Sequence, residues 1–261
     1  MRELTDIEYD VTDGVATITI NRPERMNSFT GHTVDELIHA FKTAWADGSV
    51  GAVILTGAGD KAFCAGGDVK ARAETGGYGD TEWGTFEIER LHRMIRDVPK
   101  PVIAAVNGVA VGGGHVLHVL ADLTLAAPHA RFGQAGPRVG SFDAGFGSAY
   151  LARVIGEKRA RRMWFLCELI DAETARDWGL VNEVVPQPLE TAREWAAKIN
   201  ALSPTALRFL KHSFNADSDH LAGLSSLAFD GLEVFSHTAE AAEGAQAFNE
   251  KRAPEYRRFR N

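Results

Sequence analysis

The stretch Pro101-Val-Ile-Ala-Ala-Val-Asn-Gly-Val-Ala-Val-Gly-Gly-Gly114 decides the fold. Its first half, Val102–Val106, is a short apolar run typical of a buried strand, and its glycines lead into a helical segment at His115–Leu120. Glycine lets the backbone approach a ligand closely, and the N-terminal N–H groups of a helix favour an anion. The stretch therefore predicts a buried strand, a glycine-rich turn that can bind a ligand, and a helix.

A second glycine-rich stretch, Ala62-Phe-Cys-Ala-Gly-Gly-Asp68, follows another apolar run at Gly51–Thr56. Neither stretch is a nucleotide-binding loop, because the Lys-Ser/Thr pair of a P-loop is missing and no complete G-x-G-x-x-G follows a strand. Either stretch alone is also compatible with an ordinary turn, so its meaning depends on the rest of the chain.

Strand and helix patterns alternate on both sides of these stretches, which predicts an α/β class built from crossover units. Residues 69–85 are rich in glycine and charge and predict a mobile loop, and from about residue 189 onward the patterns are helical. The other predicted elements are a hairpin of Ile7–Val11 and Val15–Ile20, helices at Thr33–Trp45 and Phe86–Arg96, and a strand at Leu123–Ala126.

Composition restricts the partners. The 261 residues are 45% hydrophobic, enough for one substantial core, and the net charge of -7 argues against a nucleic-acid surface. Residues 101–121 carry no formal charge, but Gly112-Gly-Gly114 would break a lone membrane-spanning helix, so no membrane is expected. The first residues lack an apolar targeting segment, and Cys64 and Cys167 are too few for a disulfide framework. A cytoplasmic protein with a small-molecule partner is the expectation.

Four motifs in fixed order carry a family resemblance. They are Asn27-Ser-Phe29, Ala62-Phe-Cys-Ala-Gly-Gly-Asp68, Pro101-Val-Ile-Ala-Ala-Val-Asn-Gly108 and Gly112-Gly-Gly114. Together they resemble the crotonase (enoyl-CoA hydratase/isomerase) superfamily over nearly the whole chain. The resemblance implies a ClpP/crotonase-like spiral of ββα units, with residues 1–200 as a core that holds the coenzyme A thioester and residues 201–261 as a helical trimerisation part. Trimers, often paired into hexamers, are implied as well.

The resemblance also assigns catalytic groups. By motif position, the backbone N–H groups of Gly67 and Gly113 would form an oxyanion hole that stabilises a thioester enolate. Hydratases of the family carry two glutamates that activate water, and Val116 and Gly136 stand at those positions here. Neither residue can transfer a proton, so ordinary enoyl-CoA hydration is disfavoured.

Two further stretches, Phe132–Arg153 and Met163–Cys167, are similar to the 1,4-dihydroxy-2-naphthoyl-CoA synthases and the 2-ketocyclohexanecarboxyl-CoA hydrolases. The first family closes a ring by carbon–carbon condensation and the second opens one by adding water to a β-keto thioester. Carried over by position, Ser141 and Asp143 would contact the substrate carbonyl or carboxylate and handle a proton. Locally, the same two residues could instead cap a helix that starts near Gly147.

In one class of these synthases the base is a bound hydrogencarbonate, and Gln134, Gly136 and Trp164 match its pocket. Trp164 could equally be a core aromatic. The family tyrosine near the C-terminal helix is replaced by Ser236, which puts either specific activity in doubt. No metal is expected, because His115 and His118 lack the glutamate of H-E-x-x-H and a third ligand nearby.

The resemblance implies a coenzyme A thioester as substrate and no tightly bound cofactor. Its contacts are expected at Arg25, Ala65, Asp68, Tyr78 and Lys251. The basic segment 251–260 is either a solvated tail or an anion contact.

Ring opening and ring closure both remain open, with several local motifs tilting slightly toward ring opening. Two alternatives stand beside them. One is a hydratase or isomerase that uses Asp143 as its base, and the other is an acyl-CoA-binding paralogue that has lost catalysis.

Overall fold

The computed structural model describes residues 4–75, 77–79 and 81–260, and for residues 73–75 it describes the backbone alone. The strands within these residues are β1 (Ile7–Thr12), β2 (Val15–Ile20), β3 (Ala52–Gly57), β4 (Ala62–Cys64), β5 (Val102–Val106), β6 (Val109–Val111), β7 (Leu123–Ala126), β8 (Arg131–Gly133), β9 (Leu169–Asp171) and β10 (Glu183–Val184). The α-helices are α1 (Gly31–Ala46), α2 (Val69–Thr75), α3 (Ile88–Asp97), α4 (Gly113–Leu120), α5 (Ala149–Ile155), α6 (Glu157–Leu166), α7 (Ala172–Asp177), α8 (Pro188–Asn200), α9 (Pro204–Ala216), α10 (His220–Ser236) and α11 (Ala239–Asn249).

The strands form two sheets, ordered β1-β2-β3-β5-β7-β10 and β4-β6-β8-β9. The chain crosses repeatedly from the first sheet to the second: β3, β5 and β7 lie in the first sheet, and the strands that follow them, β4, β6 and β8, lie in the second. Pairing is parallel from β2 to β10 in the first sheet, whereas β1 joins β2 as an antiparallel hairpin. This repeated crossing between sheets confirms the predicted α/β spiral.

Strand β3 shows why these strands are apolar throughout. Val53 and Leu55 belong to the main core, whereas Ala52 and Ile54 belong to a smaller cluster with Ala192 and other residues of α8. Because both faces of the strand are covered, every position favours an apolar side chain. The predicted strands Val15–Ile20, Val102–Val106 and Leu123–Ala126 are confirmed at the predicted bounds.

The prediction of a mobile loop at 69–85 is wrong for its first part, which is helix α2. The Asp68 carboxylate accepts hydrogen bonds from the backbone N–H groups of Lys70 and Ala71, at 3.2 and 3.1 Å. This side chain satisfies the free donors of the first turn. The helix is thus specified by its N-cap and not by an apolar period, which is why periodicity missed it.

After β10 the described residues form helices α8 to α11 and a short 3-10 helix at Tyr256–Phe259. Helix α9 is fastened to the core by Lys211, whose buried ammonium donates to the Asp122 carboxylate at 2.7 Å and to two backbone carbonyls. No helix in the described part of the chain has the length and apolar character to cross a bilayer.

Candidate active site

The two glycine-rich turns meet at a cavity of about 300 Å³. Strands β4 and β6 are parallel neighbours, with Ala62 opposite Val109, so the turns that follow them leave the same end of the second sheet. The cavity walls combine these turns with aromatic rings and a few polar groups. The lining residues used below are Phe29, Ala65, Gly67, Arg72, Tyr78, Phe86, Gly113, Gln134, Gly136, Val139, Ser141, Phe142, Asp143, Trp164, Phe229, Leu232 and Phe248.

Both predicted oxyanion-hole residues line this cavity, and a side chain at either position would displace an aromatic ring. A Cβ atom at Gly67 would overlap the ring of Tyr78, and one at Gly113 would lie 2.5 Å from Cζ of Phe29. Neither backbone N–H donates to an acceptor in the described part of the chain. Gly113 also begins α4, where N–H groups are free and the helix dipole favours negative charge. The pair can therefore donate two hydrogen bonds to a bound oxyanion.

The loop that carries Ser141 and Asp143 is held in place by α11. Gly140 has φ +68° and fits directly against the backbone of Ala241, so no side chain can stand there. The Ser141 N–H donates to the carbonyl of Gly136 at 2.9 Å and closes the loop. Both predicted residues consequently lie in the cavity wall together with the two glycines.

Asp143 is the acidic side chain among the cavity residues. Its Oδ1 atom is buried without a hydrogen-bond partner, and it would lie 2.7 Å from a Cβ atom at Gly147. Burial raises the pKa of Asp143 from 3.8 to about 7, and the nearby Gly147 backbone N–H partly opposes this shift. A carboxyl that titrates near neutrality can both accept and return a proton.

Helix capping is not the role of Ser141 and Asp143. Helix α5 begins at Ala149 with Ser148 in the N-cap position, and no side chain caps its first turn. The close approach of Gly147 to the Asp143 carboxyl is a contact within the loop that precedes this helix.

The three residues predicted for a hydrogencarbonate pocket line the cavity, but they differ in whether their hydrogen-bonding groups already have partners. Gln134 is buried and neither amide atom has a partner in the described part of the chain. The Trp164 Nε1–H donates to the carbonyl of Gly147 at 2.7 Å, so it is already used. A Cβ atom at Gly136 would lie 2.7 Å from the carbonyl oxygen of Ser141, which fills the space beside it. All three residues line the cavity, and the hydrogencarbonate pocket stays a prediction.

The same crowding at Gly136 bears on hydration. A glutamate at this position, as in the hydratases, would collide with the Ser141 backbone. At the other glutamate position, Val116 is fully buried in the core. The cavity therefore lacks both carboxylates that the resemblance associates with water activation.

Of the predicted substrate contacts, Ala65 and Tyr78 line the cavity, whereas Arg25, Asp68 and Lys251 do not. Asp68 is buried, caps α2 and pairs with Arg22 at 3.3 Å, so the structure gives it a supporting role. Arg25 is exposed on the 3-10 turn that precedes Phe29.

Lys251 lies on a neighbouring surface cleft of about 630 Å³, which shares Val139 and Phe248 with the cavity. The basic C-terminal segment is partly neutralised within the chain, because Arg252 and Arg258 both pair with Glu243.

Ser236 is exposed outside the cavity, and its hydroxyl donates to the carbonyl of Glu233 at 2.6 Å.

Arg72 is a cavity residue that the sequence interpretation missed. It projects from α2, and its Nη2 donates to the Val139 carbonyl at 3.1 Å. Its Nε and Nη1 donors have no acceptor in the described part of the chain, so they are available to a carbonyl or carboxylate of a ligand. An arginine four residues after the capping Asp68 lies one helical turn further along α2. The prediction of a loop at 69–85 gave this arginine no defined position, so it was not recognised as a cavity residue.

The histidine pair lies behind the oxyanion turn and is fully buried. His118 Nε2 lies 2.8 Å from His115 Nδ1, in hydrogen-bonding distance. Burial lowers the pKa of His115 to about 3 and that of His118 well below its ordinary value, so both rings are neutral near pH 7. The described residues contain no cluster of metal-ligating side chains.

Comparison with known proteins agrees with this geometry. The family model described as enoyl-CoA hydratase/isomerase matches residues 10–258. The chain therefore belongs to the enoyl-CoA hydratase/isomerase family, the crotonases, and is a crotonase-family acyl-CoA enzyme.

Solved structures of this family resemble the chain over nearly its whole length. An enoyl-CoA hydratase from Mycobacterium avium subsp. paratuberculosis K-10 is 30% identical with a TM-score of 0.86, covering 97% of this chain and 99% of that one. An enoyl-CoA hydratase from Bacillus anthracis is 35% identical with a TM-score of 0.75, covering 97% and 99%. A carnitinyl-CoA hydratase from Mycobacterium avium is 32% identical with a TM-score of 0.84, covering 97% and 98%. These names do not specify a reaction on a cyclic thioester.

The buried carboxyl predicts a pH-dependent gain in stability for Asp143→Asn. A folded state that raises the pKa of an acid from 3.8 to about 7 binds more protons than the unfolded state between those values, so the wild-type protein loses stability as the pH rises through them. The amide of the variant does not ionise. We expect D143N to melt roughly 2–6 °C above the wild type at pH 8, with a smaller difference at pH 5.

Thermal melts followed by circular dichroism measure this difference. The exposed Asp177 provides the control, since D177N should show no such dependence on pH. Equal melting temperatures of D143N and wild type at pH 8 would contradict the burial of an ionisable carboxyl at this position.

Proposed function

We propose that this enzyme makes or breaks a carbon–carbon bond in a cyclic or aryl β-keto acyl-CoA, with hydrolytic ring opening as the leading reaction. One observation carries the proposal. Gly67 and Gly113 line the same cavity as Asp143, whose burial raises its pKa to about 7, and neither glycine N–H has an acceptor in the described part of the chain. Val116 and Gly136 occupy both hydratase glutamate positions. This arrangement supports proton transfer to or from an enolate better than the addition of water to an enoyl double bond.

In ring opening, the thioester carbonyl accepts hydrogen bonds from Gly67 and Gly113. Asp143, as the carboxylate, takes a proton from a water molecule that adds to the ring ketone. The bond between the former ketone carbon and Cα then breaks, and its electron pair forms the thioester enolate, whose oxygen carries the charge in the hole. Asp143 returns its proton to Cα. One water is consumed, and the product is an open chain with the thioester at one end and, at the other, a carboxylic acid that releases its proton to solvent as a carboxylate.

The cavity walls support a cyclic or aryl acyl group. Phe29 and Tyr78 contact the oxyanion glycines, Tyr78 stacks on Phe86 at 4.5 Å between ring centroids, and Phe142 and Phe229 complete the apolar surface. Flat apolar walls favour flat or ring-shaped ligands. Arg72 and Ser141 supply donors that can hold the second oxygen function of a β-keto thioester or of its ring-opened product.

A second candidate is hydration or isomerisation of an enoyl-CoA with Asp143 as the single base. The names of the similar solved structures favour it. It would show itself as water addition to, or double-bond migration in, a simple enoyl-CoA. The crowding at Gly136 argues against the two-glutamate form of this reaction.

The predicted role of hydrogencarbonate is tested by measuring turnover with and without this ion. The Gln134 amide has no partner among the described residues, whereas the Trp164 indole N–H is already bonded to the Gly147 carbonyl, and we assign no step to this ion. Turnover that is unchanged after rigorous removal of carbonate supports this assignment.

We also propose a homo-oligomer, a trimer or hexamer, in which a second copy covers the outer faces of α9 and α10. Phe209, Phe214, Leu227 and Val234 are each at least 65% exposed on these helices. An apolar surface of this kind is typical of a subunit interface. We expect light scattering of the purified protein to give a multiple of the 28.3 kDa chain, and a monomer at micromolar concentration would contradict the proposal.

The reaction is tested by mass spectrometry of the enzyme incubated with 2-ketocyclohexanecarboxyl-CoA in 18O-labelled water, with and without hydrogencarbonate. We expect a product heavier than the substrate by one labelled water. Asp143→Asn should lower the rate by roughly 10²–10⁴, because it removes the group that moves the proton. The surface variant Asp177→Asn should react like the wild type.

An unchanged ring substrate together with condensation of o-succinylbenzoyl-CoA would select ring closure instead. Binding of both thioesters without turnover of either would select the non-catalytic paralogue and overturn the proposed activity.

A further inference from the structure

Arg96 is a buried cation that the reaction does not use. It lies in the last turn of α3 and is only 4% exposed. Its Nη2 donates to the Ser218 hydroxyl at 2.8 Å and to the Asn215 carbonyl at 3.3 Å. The closest carboxylate, on Asp219, lies 3.9 Å away and is itself 73% exposed. A buried guanidinium with so weak a counter-ion is costly, so other contacts must offset its desolvation.

Two aromatic rings supply those contacts. The guanidinium carbon of Arg96 lies 4.7 Å from the ring centroid of Tyr150 and 5.3 Å from that of Phe146. A desolvated cation over an aromatic face is attracted by the ring quadrupole. Arg96 therefore joins the segment 146–150 to the junction of α9 and α10, where Asn215 and Ser218 lie.

The segment 146–150 begins beside the proton-transfer group. Gly147 fits directly against the Asp143 carboxyl, since a Cβ atom at Gly147 would lie 2.7 Å from Oδ1, and its carbonyl accepts the Trp164 indole N–H at 2.7 Å. On the other side, Gly145 is so close to α10 that a Cβ atom there would lie 2.6 Å from Cα of Ser225. The position of Asp143 thus depends on the 145–147 turn. This turn is packed between Trp164 and α10, and its own Phe146 side chain lies against Arg96.

We propose that Arg96 is a positioning residue for Asp143. By clamping Phe146 and Tyr150 against the α9–α10 junction, it keeps the 145–147 turn closed, so that Gly147 stays packed on the Asp143 carboxyl and water stays away from its buried side. This inference rests on the proposed function only in taking Asp143 as the proton-transfer group.

The electrostatic surroundings are consistent with an indirect role. The charged groups near Arg96 are Asp97 on its own helix, Asp219 before α10 and Lys211 on α9. No charged group contributes to the shift at Asp143, where burial is the largest cause of the raised pKa. Arg96 therefore acts on Asp143 through packing, and opening the turn should hydrate the carboxyl and lower its pKa.

The test is a pH titration of the Asp143 carboxyl by infrared spectroscopy, with the D143N spectrum subtracted, on the full-length protein without substrate. We expect Arg96→Met and Phe146→Leu to move the midpoint from about 7 toward the ordinary value of 3.8, and Arg96→Lys to fall between them and the wild type. Arg93→Met is the matched control: Arg93 also joins α3 to α10, through Ser226 and Ala222, and its hydrogen bonds and ion pair go to these two residues and to Glu89, not to the 145–150 segment.

The proposal is overturned if the Asp143 titration midpoints of both Arg96→Lys and Phe146→Leu equal that of the wild type. If Arg96→Met does not fold, these two milder variants decide the question. An equal shift in Arg93→Met would also overturn it, because it would show that any loosening of α10 is sufficient. The titration needs no substrate. A shifted midpoint in an enzyme that fails to open the ring therefore refutes the proposed reaction and leaves the role of Arg96 intact. Where turnover is seen, Arg96→Met should lower kcat at least tenfold and change KM less.

Discussion

The close approach of two backbone turns with no side chain between them is the constraint on which the site depends. Parallel pairing of β4 with β6 sends both turns out at the same end of the sheet. A Cβ atom at Gly66 would lie 2.9 Å from the carbonyl of Val111 and 3.1 Å from the nitrogen of Gly113. The rings of Phe29 and Tyr78 then close the remaining space beside Gly67 and Gly113. Two N–H groups held in this way need little reorganisation to receive negative charge.

The other residues of the cavity add an acid, a cation and apolar rings to these two N–H groups. Asp143 lies in a wall where burial raises its pKa to about 7, so it carries a proton readily in either direction near neutral pH. Arg72 brings a cation to the same cavity, while the aromatic rings restrict the shape of the ligand. The C-terminal helices contribute directly, because α11 fixes the loop at Gly140 and α10 supplies Phe229 and Leu232. The helical part of the chain thus forms part of the cavity wall.

Local sequence predicted the features that local physics decides. Strand β5 is apolar because the sheet is covered on both faces, and the glycine runs mark turns that allow a close backbone approach, so the α/β class and the two turns could be predicted. The choice of Gly67 and Gly113 within those turns rests on the family resemblance. Helix α2 was missed because a single cap from Asp68 specifies it, and Arg72 was missed with it. The bond from Trp164 to the Gly147 carbonyl is a tertiary contact between α6 and the loop before α5. No periodicity or motif spacing in one sequence reports such a contact.

The most direct measurement of enolate formation is exchange of the single α-hydrogen of cyclohexanecarboxyl-CoA for deuterium in D2O, followed by NMR. This thioester has no β-keto group, so it can form the enolate but cannot undergo ring opening. The account predicts exchange well above the uncatalysed rate with the wild-type enzyme, and loss of most of that rate in Asp143→Asn, with thioester binding retained. Binding of the thioester without exchange, or exchange that is undiminished in the variant, would contradict the assignment of an oxyanion hole at Gly67 and Gly113 served by Asp143.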